Sequence, residues 1–158
     1  MSAFLGPVDE LGAVVHGPVV LARSTGIVVG IRCVFAHPGG LNFPLVLHAE
    51  GVQAEAAARR QGHGRLGPFW DDDAPEPWAG LRFAVVLEGI ERTLDPAGGS
   101  SSSGADVFDL SADYWAGPPP RDGRLTVRVS WPEAGLAEAR TSLDLGNLSD
   151  LADRVVPL

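Results

Sequence analysis

A chain of 158 residues with 45% hydrophobic content has the length of one ordinary domain and buries enough surface to fold without a disulfide or metal staple. All twelve basic residues are arginines, against twenty acidic ones, for a formal net charge of −8. Nucleic acids and anionic membranes attract proteins through basic side chains, so this balance argues against both as partners.

Taken in chain order, residues 1–17 are apolar but broken by Gly6, Pro7, Gly12 and Gly17, leaving Val14-Val15-His16 as a short edge strand. A strand is expected over 18–23. A stronger one follows over 27–36, where Ile27, Val29, Ile31, Cys33 and Phe35 share a face. His37-Pro38-Gly39-Gly40 is a turn. Over 41–49, Leu41, Phe43, Leu45 and Leu47 again fall on odd numbers, which predicts a hairpin with Phe35 opposite Leu41. Pro44 cannot donate to a ladder, so it marks an edge or a bulge. Ala54–Arg60 has the composition of two helical turns, and 62–80 is a long irregular segment.

Leu81, Phe83, Val85 and Leu87 alternate as a strand, Glu88-Gly89 turns the chain, and a short strand lies near 92–94. Gly98–Gly104, with sequence Gly-Gly-Ser-Ser-Ser-Ser-Gly, reads as a flexible loop. Strands are expected over 107–115, 125–131 and 137–143, with Phe108, Leu110, Ala112 and Tyr114 inward on the first and Leu125, Val127, Val129 and Trp131 on the second. Leu148, Leu151, Ala152 and Val155 recur at helical spacing, capped by Asn147 or Ser149 and ended by Pro157. Seven or eight short strands with turn signals between them predict an all-β fold. We expect a two-sheet antiparallel sandwich, immunoglobulin-like or jelly-roll-like, with a short C-terminal helix and residues 1–158 in one domain.

The single cysteine permits no internal disulfide, so no oxidising compartment is implied. Asp9 and Glu10 interrupt the apolar start, and no run of 18 apolar residues occurs, which reads as a cytoplasmic protein. The absence of lysine, with abundant Ala, Gly and Pro, points to a high-GC bacterial coding sequence.

The most unusual candidate site is Phe69, Trp70, Asp71, Asp72 and Asp73 with Trp78. Aromatics beside carboxylates in a long loop form a contact patch, tryptophan being favoured at binding hot spots. The competing reading folds both tryptophans onto the core. The aspartates lack the spacing, turn glycine and distal glutamate of a calcium loop. Cys33 and His37 stand at Cys-x3-His spacing, but a structural zinc site needs four ligands and there is no second cysteine. Cys33 reads instead as a core residue beside Ile31 and Phe35. His48 lies on an outward face with Arg32, Arg82 and Glu88 as candidate neighbours, either a shallow acid–base site or ordinary cross-strand pairs. No nucleophile elbow or phosphate loop is present, and neither cofactor nor metal is expected.

The C-terminal half contains Asp113-Tyr114-Trp115 running into Pro118-Pro119-Pro120, then Gly123-Arg124-Leu125-Thr126-Val127, Ser130-Trp131-Pro132 and Gly135. Glu138-Ala139-Arg140, Leu143-Asp144 and a terminal Arg154-Val155-Val156 follow. Over residues 98–156 the chain resembles a group of small uncharacterised actinobacterial all-β proteins. The resemblance implies the fold and brings no activity with it. Two functional expectations follow. The first is a non-enzymatic interaction module, protein-binding or homodimeric, that uses loop 65–80 and the sheet edges. The second is a small hydrolase or ligand-binding domain using His48 or His63 with nearby acids.

Overall fold

A computed structural model describes residues 6–62 and 80–158. The first sheet holds β2 (Ala13–His16), β3 (Val19–Ser24), β4 (Ile27–Ile31), β5 (Val34–His37), β6 (Gly40–Glu50), β9 (Gly98–Gly104) and β10 (Val107–Ala116). Its order is β2-β5-β6-β10-β9, with the β3–β4 hairpin continuing the same flank of β6. The second sheet is β12-β11-β7-β8, built from β7 (Arg82–Leu87), β8 (Ile90–Leu94), β11 (Arg124–Trp131) and β12 (Leu136–Asp144). Every pairing is antiparallel.

The two sheets face one another across the inward stripes that alternation predicts. Phe43, Leu45, Leu47, Phe108, Leu110 and Tyr114 of the first sheet are buried, as are Phe83, Val85, Val127, Val129 and Trp131 of the second. Aromatic rings join the layers. Phe83 stacks on Tyr114 at 4.4 Å and tilts against Phe43 at 5.5 Å, and Phe108 meets Trp131 edge-on at 6.2 Å. The helix α1 (Gly51–Gly62) packs Ala54 and Ala57 into the core and lies against β6, β10 and the 3-10 turn Pro132–Ala134. At one flank β12 closes onto β3: the Ala137 amide donates to Ser24 Oγ at 3.3 Å and Thr141 Oγ1 donates to the Leu21 carbonyl at 3.4 Å.

Several expectations need correction. The strand expected over 27–36 is two strands with a phase change. Ile31 pairs with Leu45 and Phe35 with Asn42, so three residues on one side oppose two on the other. This extra residue is a bulge at Arg32-Cys33, opposite Pro44, which has no N–H to give. The Arg32 amide donates to the Pro44 carbonyl at 2.9 Å. Beyond the bulge the inward residues are Val34 and Ala36, Leu41 faces Ala36 rather than Phe35, and Cys33 is only half-buried. Burial raises the Cys33 thiol pKa, and the nearby Arg32 offsets this only in part, so the group is a poor nucleophile.

The expected Gly/Ser loop is strand β9. It pairs with β10 through seven consecutive partners, from Gly98↔Asp113 to Gly104↔Val107. The terminal helix α2 is only Leu151–Arg154, and Val156–Pro157 (β13) pairs with Glu10–Leu11 (β1) instead of trailing away. Ala84, which the alternation of Phe83 and Val85 places on the outward face, is nonetheless buried between Arg128 and Thr93, its partners on the neighbouring strands. Among the described residues no helix is long and apolar enough to cross a membrane.

Candidate functional site

The outward face of the first sheet carries the main polar cluster. His48 on β6 pairs directly with Asp109 on β10, and the two side chains meet with Nδ1 2.6 Å from Oδ1. Glu50, two residues along β6 and therefore on the same face, places Oε1 3.1 Å from Nε2. Both ring nitrogens thus point at carboxylate oxygens, an arrangement that favours the imidazolium, the form in which both can donate. Its pKa is raised, first by the hydrogen bond to Asp109 and then by that to Glu50.

The sign of the pH effect follows. A histidine whose folded pKa lies above its unfolded value of about 6.5 stabilises the fold fully below that pH and loses the contribution as pH rises through the folded pKa. His48→Gln is therefore expected to cost stability at about pH 5.5 and to cost progressively less towards about pH 8.5. Urea midpoints of both proteins across that range measure the gap. A gap that stays constant or widens with pH contradicts the ion-paired geometry.

The registers align Ser102, Asp109, His48 and Val28 in one row across β9, β10, β6 and β4. In a hydrolytic triad the imidazole stands between hydroxyl and carboxylate, so that it can take the hydroxyl proton. Here the carboxylate stands between them, and the second ring nitrogen is held by Glu50. The cluster has the geometry of a cross-strand clamp rather than of a general base. Compared with family models, with curated proteins and with solved structures, the chain matches none.

The other residues singled out by sequence are dispersed. Of the neighbours expected for His48, only Arg32 shares its sheet. Arg82 is on β7 of the other sheet, and Glu88, in the β7–β8 turn, accepts from the Arg121 amide at 2.9 Å. Phe69, Trp70, Asp71, Asp72, Asp73 and Trp78 lie outside the described residues, as does His63. Among the described residues no three His, Cys, Asp or Glu side chains converge as a metal site requires.

Two polar groupings escaped the sequence reading. His37 is buried, with Nδ1 2.8 Å from Glu10 Oε1 and its ring 5.6 Å from Trp115. This contact ties β1 to β5. On the outer face of the second sheet, Arg128 Nε lies 3.2 Å from Glu91 and 3.3 Å from Glu138. Both groupings join residues far apart in sequence, and no local signal announces them. The Tyr114 hydroxyl is a third surprise: it is buried with no hydrogen-bond partner among the described residues, and desolvation pushes its pKa well above the usual phenol range.

Edge chemistry separates β9 from the other strand ends. Natural sheets protect edges with charges, bulges, short strands or a covering element. Edge strand β2 is four residues long with a register shift between Val14 and His16. The β3 and β12 edges lie against each other. Edge strand β8 carries Glu91 and Arg92, and the Arg92 guanidinium donates to the Gly117 carbonyl at 2.7 Å. In contrast, β9 has no charge, no proline and no bulge, and it is mostly exposed.

Proposed function

We propose that the protein is a non-enzymatic β-sandwich interaction module of the cytoplasm that associates by strand addition at β9. The observation that carries this reading is the unguarded seven-residue edge, Gly98–Gly104, paired on one side by β10 among the described residues. An added strand gains main-chain hydrogen bonds along such an edge. Glycine and serine allow close backbone approach and impose no side-chain selection. That favours self-association, because a second β9 presents no like charge and brings serine hydroxyls that hydrogen-bond across the strands. The aromatic-acidic segment 65–80 belongs to the same proposal on its sequence alone, as a second contact centred on Trp70.

Proline substitutions at Ser100, Ser101 and Ser102 test the edge. Successive residues direct their N–H groups to opposite sides of a strand, so at least one of these prolines removes an outward donor while leaving the β10 ladder intact. Light scattering is expected to show a concentration-dependent dimer in the parent protein. At least one proline variant should be monomeric with its melting transition preserved. A parent that stays monomeric at high concentration, or a dimer that survives all three prolines, removes the proposal.

A further inference from the structure

The outward face of β3, β4 and β6 forms a shallow depression of about 340 Å³, whose lining includes Val20, Val28, Gly30, Arg32, Val46 and His48. The registers explain its shape. Val20, Gly30 and Val46 lie in one row across the three strands, and Val28 is paired with His48 in another. Gly30 contributes no side chain, and the β3 backbone takes that space: the Val19 carbonyl oxygen stands 2.8 Å from where a Cβ would be. Val20 and Val46 stand on either side of Gly30, Val28 lies two residues before it on the same face of β4, and Arg32 lines the depression from the bulge just beyond the end of β4. Val20 is 53% exposed, so an apolar wall is left open to water.

The depression is polar only at its ends, Arg32 in the bulge and His48 on β6. At one end is Arg32, which is exposed; among the described residues no carboxylate pairs with its guanidinium. At the other end His48 is already held by Asp109 and Glu50. Those two acids make the His48 end net negative and repel an anion there, so an anionic head group is directed to Arg32. The volume falls at the small end of the range for ligand sites.

We infer that this face binds a medium-chain alkyl carboxylate, its head group on Arg32 and its chain along the Val20–Gly30–Val46 row towards Val28. Guanidinium pairs with carboxylate through charge-assisted hydrogen bonds, and the valines take the chain out of water.

Amide chemical shifts of the labelled protein, titrated with octanoate, octylammonium and octanol, test this. Octanoate is expected to move the amides of Val20, Gly30 and Val46 saturably. Octylammonium, repelled by Arg32 and drawn only to acids already paired with His48, should bind more weakly than octanoate, and octanol at least about tenfold more weakly, the scale of one charge-assisted hydrogen bond. Arg32→Ala should weaken octanoate by about tenfold, whereas Arg140→Ala, on the opposite sheet, should not. Val46→Ser, at an outward position, should weaken it through the apolar wall alone. Three results overturn the inference: octylammonium binding as tightly as octanoate, octanoate binding unaffected by Arg32→Ala, or no saturable shift. Movement of the same amides on dilution without ligand would assign the face to a second copy and also overturn it.

Discussion

Phe83→Ala is expected to lower the unfolding free energy by about 3–5 kcal/mol. Phe83 has no exposed surface and sits mid-layer on β7, flanked by Val129 of β11 and Leu94 of β8. Its ring stacks on Tyr114 and tilts against Phe43 of the facing sheet, and aromatic pairs add about 0.5–1.5 kcal/mol beyond the area they bury. Truncation leaves a void with walls from both sheets. Each wall is held by its own ladder, so collapse is limited and the cavity term persists. Ile90→Ala, at a 58% exposed position on the adjoining strand, should change stability by less than about 0.5 kcal/mol. Urea denaturation of the two variants makes the comparison. A Phe83→Ala loss below about 1 kcal/mol would place the ring outside the core.

The second large effect is a backbone one. Gly123 has φ +69°, and an added Cβ would overlap the carbonyl oxygen of Gly146. That contact cannot relax cheaply, because the same turn is pinned on both sides. The Gly123 carbonyl accepts from the Leu145 amide at 2.6 Å, and its amide donates to the Pro120 carbonyl at 3.2 Å. Gly89 supplies the control: its φ is +80°, but nothing stands within 4 Å of the place a methyl group would occupy there. Gly89→Ala therefore isolates the left-handed penalty, about 1–2 kcal/mol. Gly123→Ala adds a backbone overlap and should cost about 3 kcal/mol or more in the same denaturation assay. Equal losses in the two variants would show that the Pro120–Gly123 and Leu145–Gly146 segments move apart freely.

The contrast between β6 and β9 shows how much of the fold is legible in one dimension. Along β6, Leu41, Phe43, Leu45 and Leu47 are all buried, as their alternation requires. β10 and β11 behave the same way, because a half-buried strand must segregate its side chains at period two. The opposite holds for Gly98–Gly104, whose composition disfavours a strand. It becomes one because the two-residue turn Ala105-Asp106, with Asp106 at φ +61°, folds it back onto β10. Its ladder is made by backbone groups, which carry no side-chain signature.

The candidate sites divide along the same line. Alternation along the chain places His48 on an outward face, but its carboxylate partners depend on the β6–β10 register, which sets Asp109 opposite it. Arg82 and Glu88 look equally eligible in sequence, yet the chain assigns them to the other sheet. Likewise, Gly30 is only a weak position in a strand until Val20 and Val46 flank it from two other strands and the β3 backbone closes over the space its missing side chain leaves.

Residue type and side-chain period alone establish the all-β class, the inward faces of the long strands and the acidic, arginine-only charge balance. These are local properties, readable within any one segment. The bulge opposite Pro44, the open β9 edge, the His48 clamp and the Arg32-ended depression arise only when the sheets assemble. Each depends on which strand lies beside which, and in what register. That choice is set by the summed burial of two sheets and leaves no mark within any one segment.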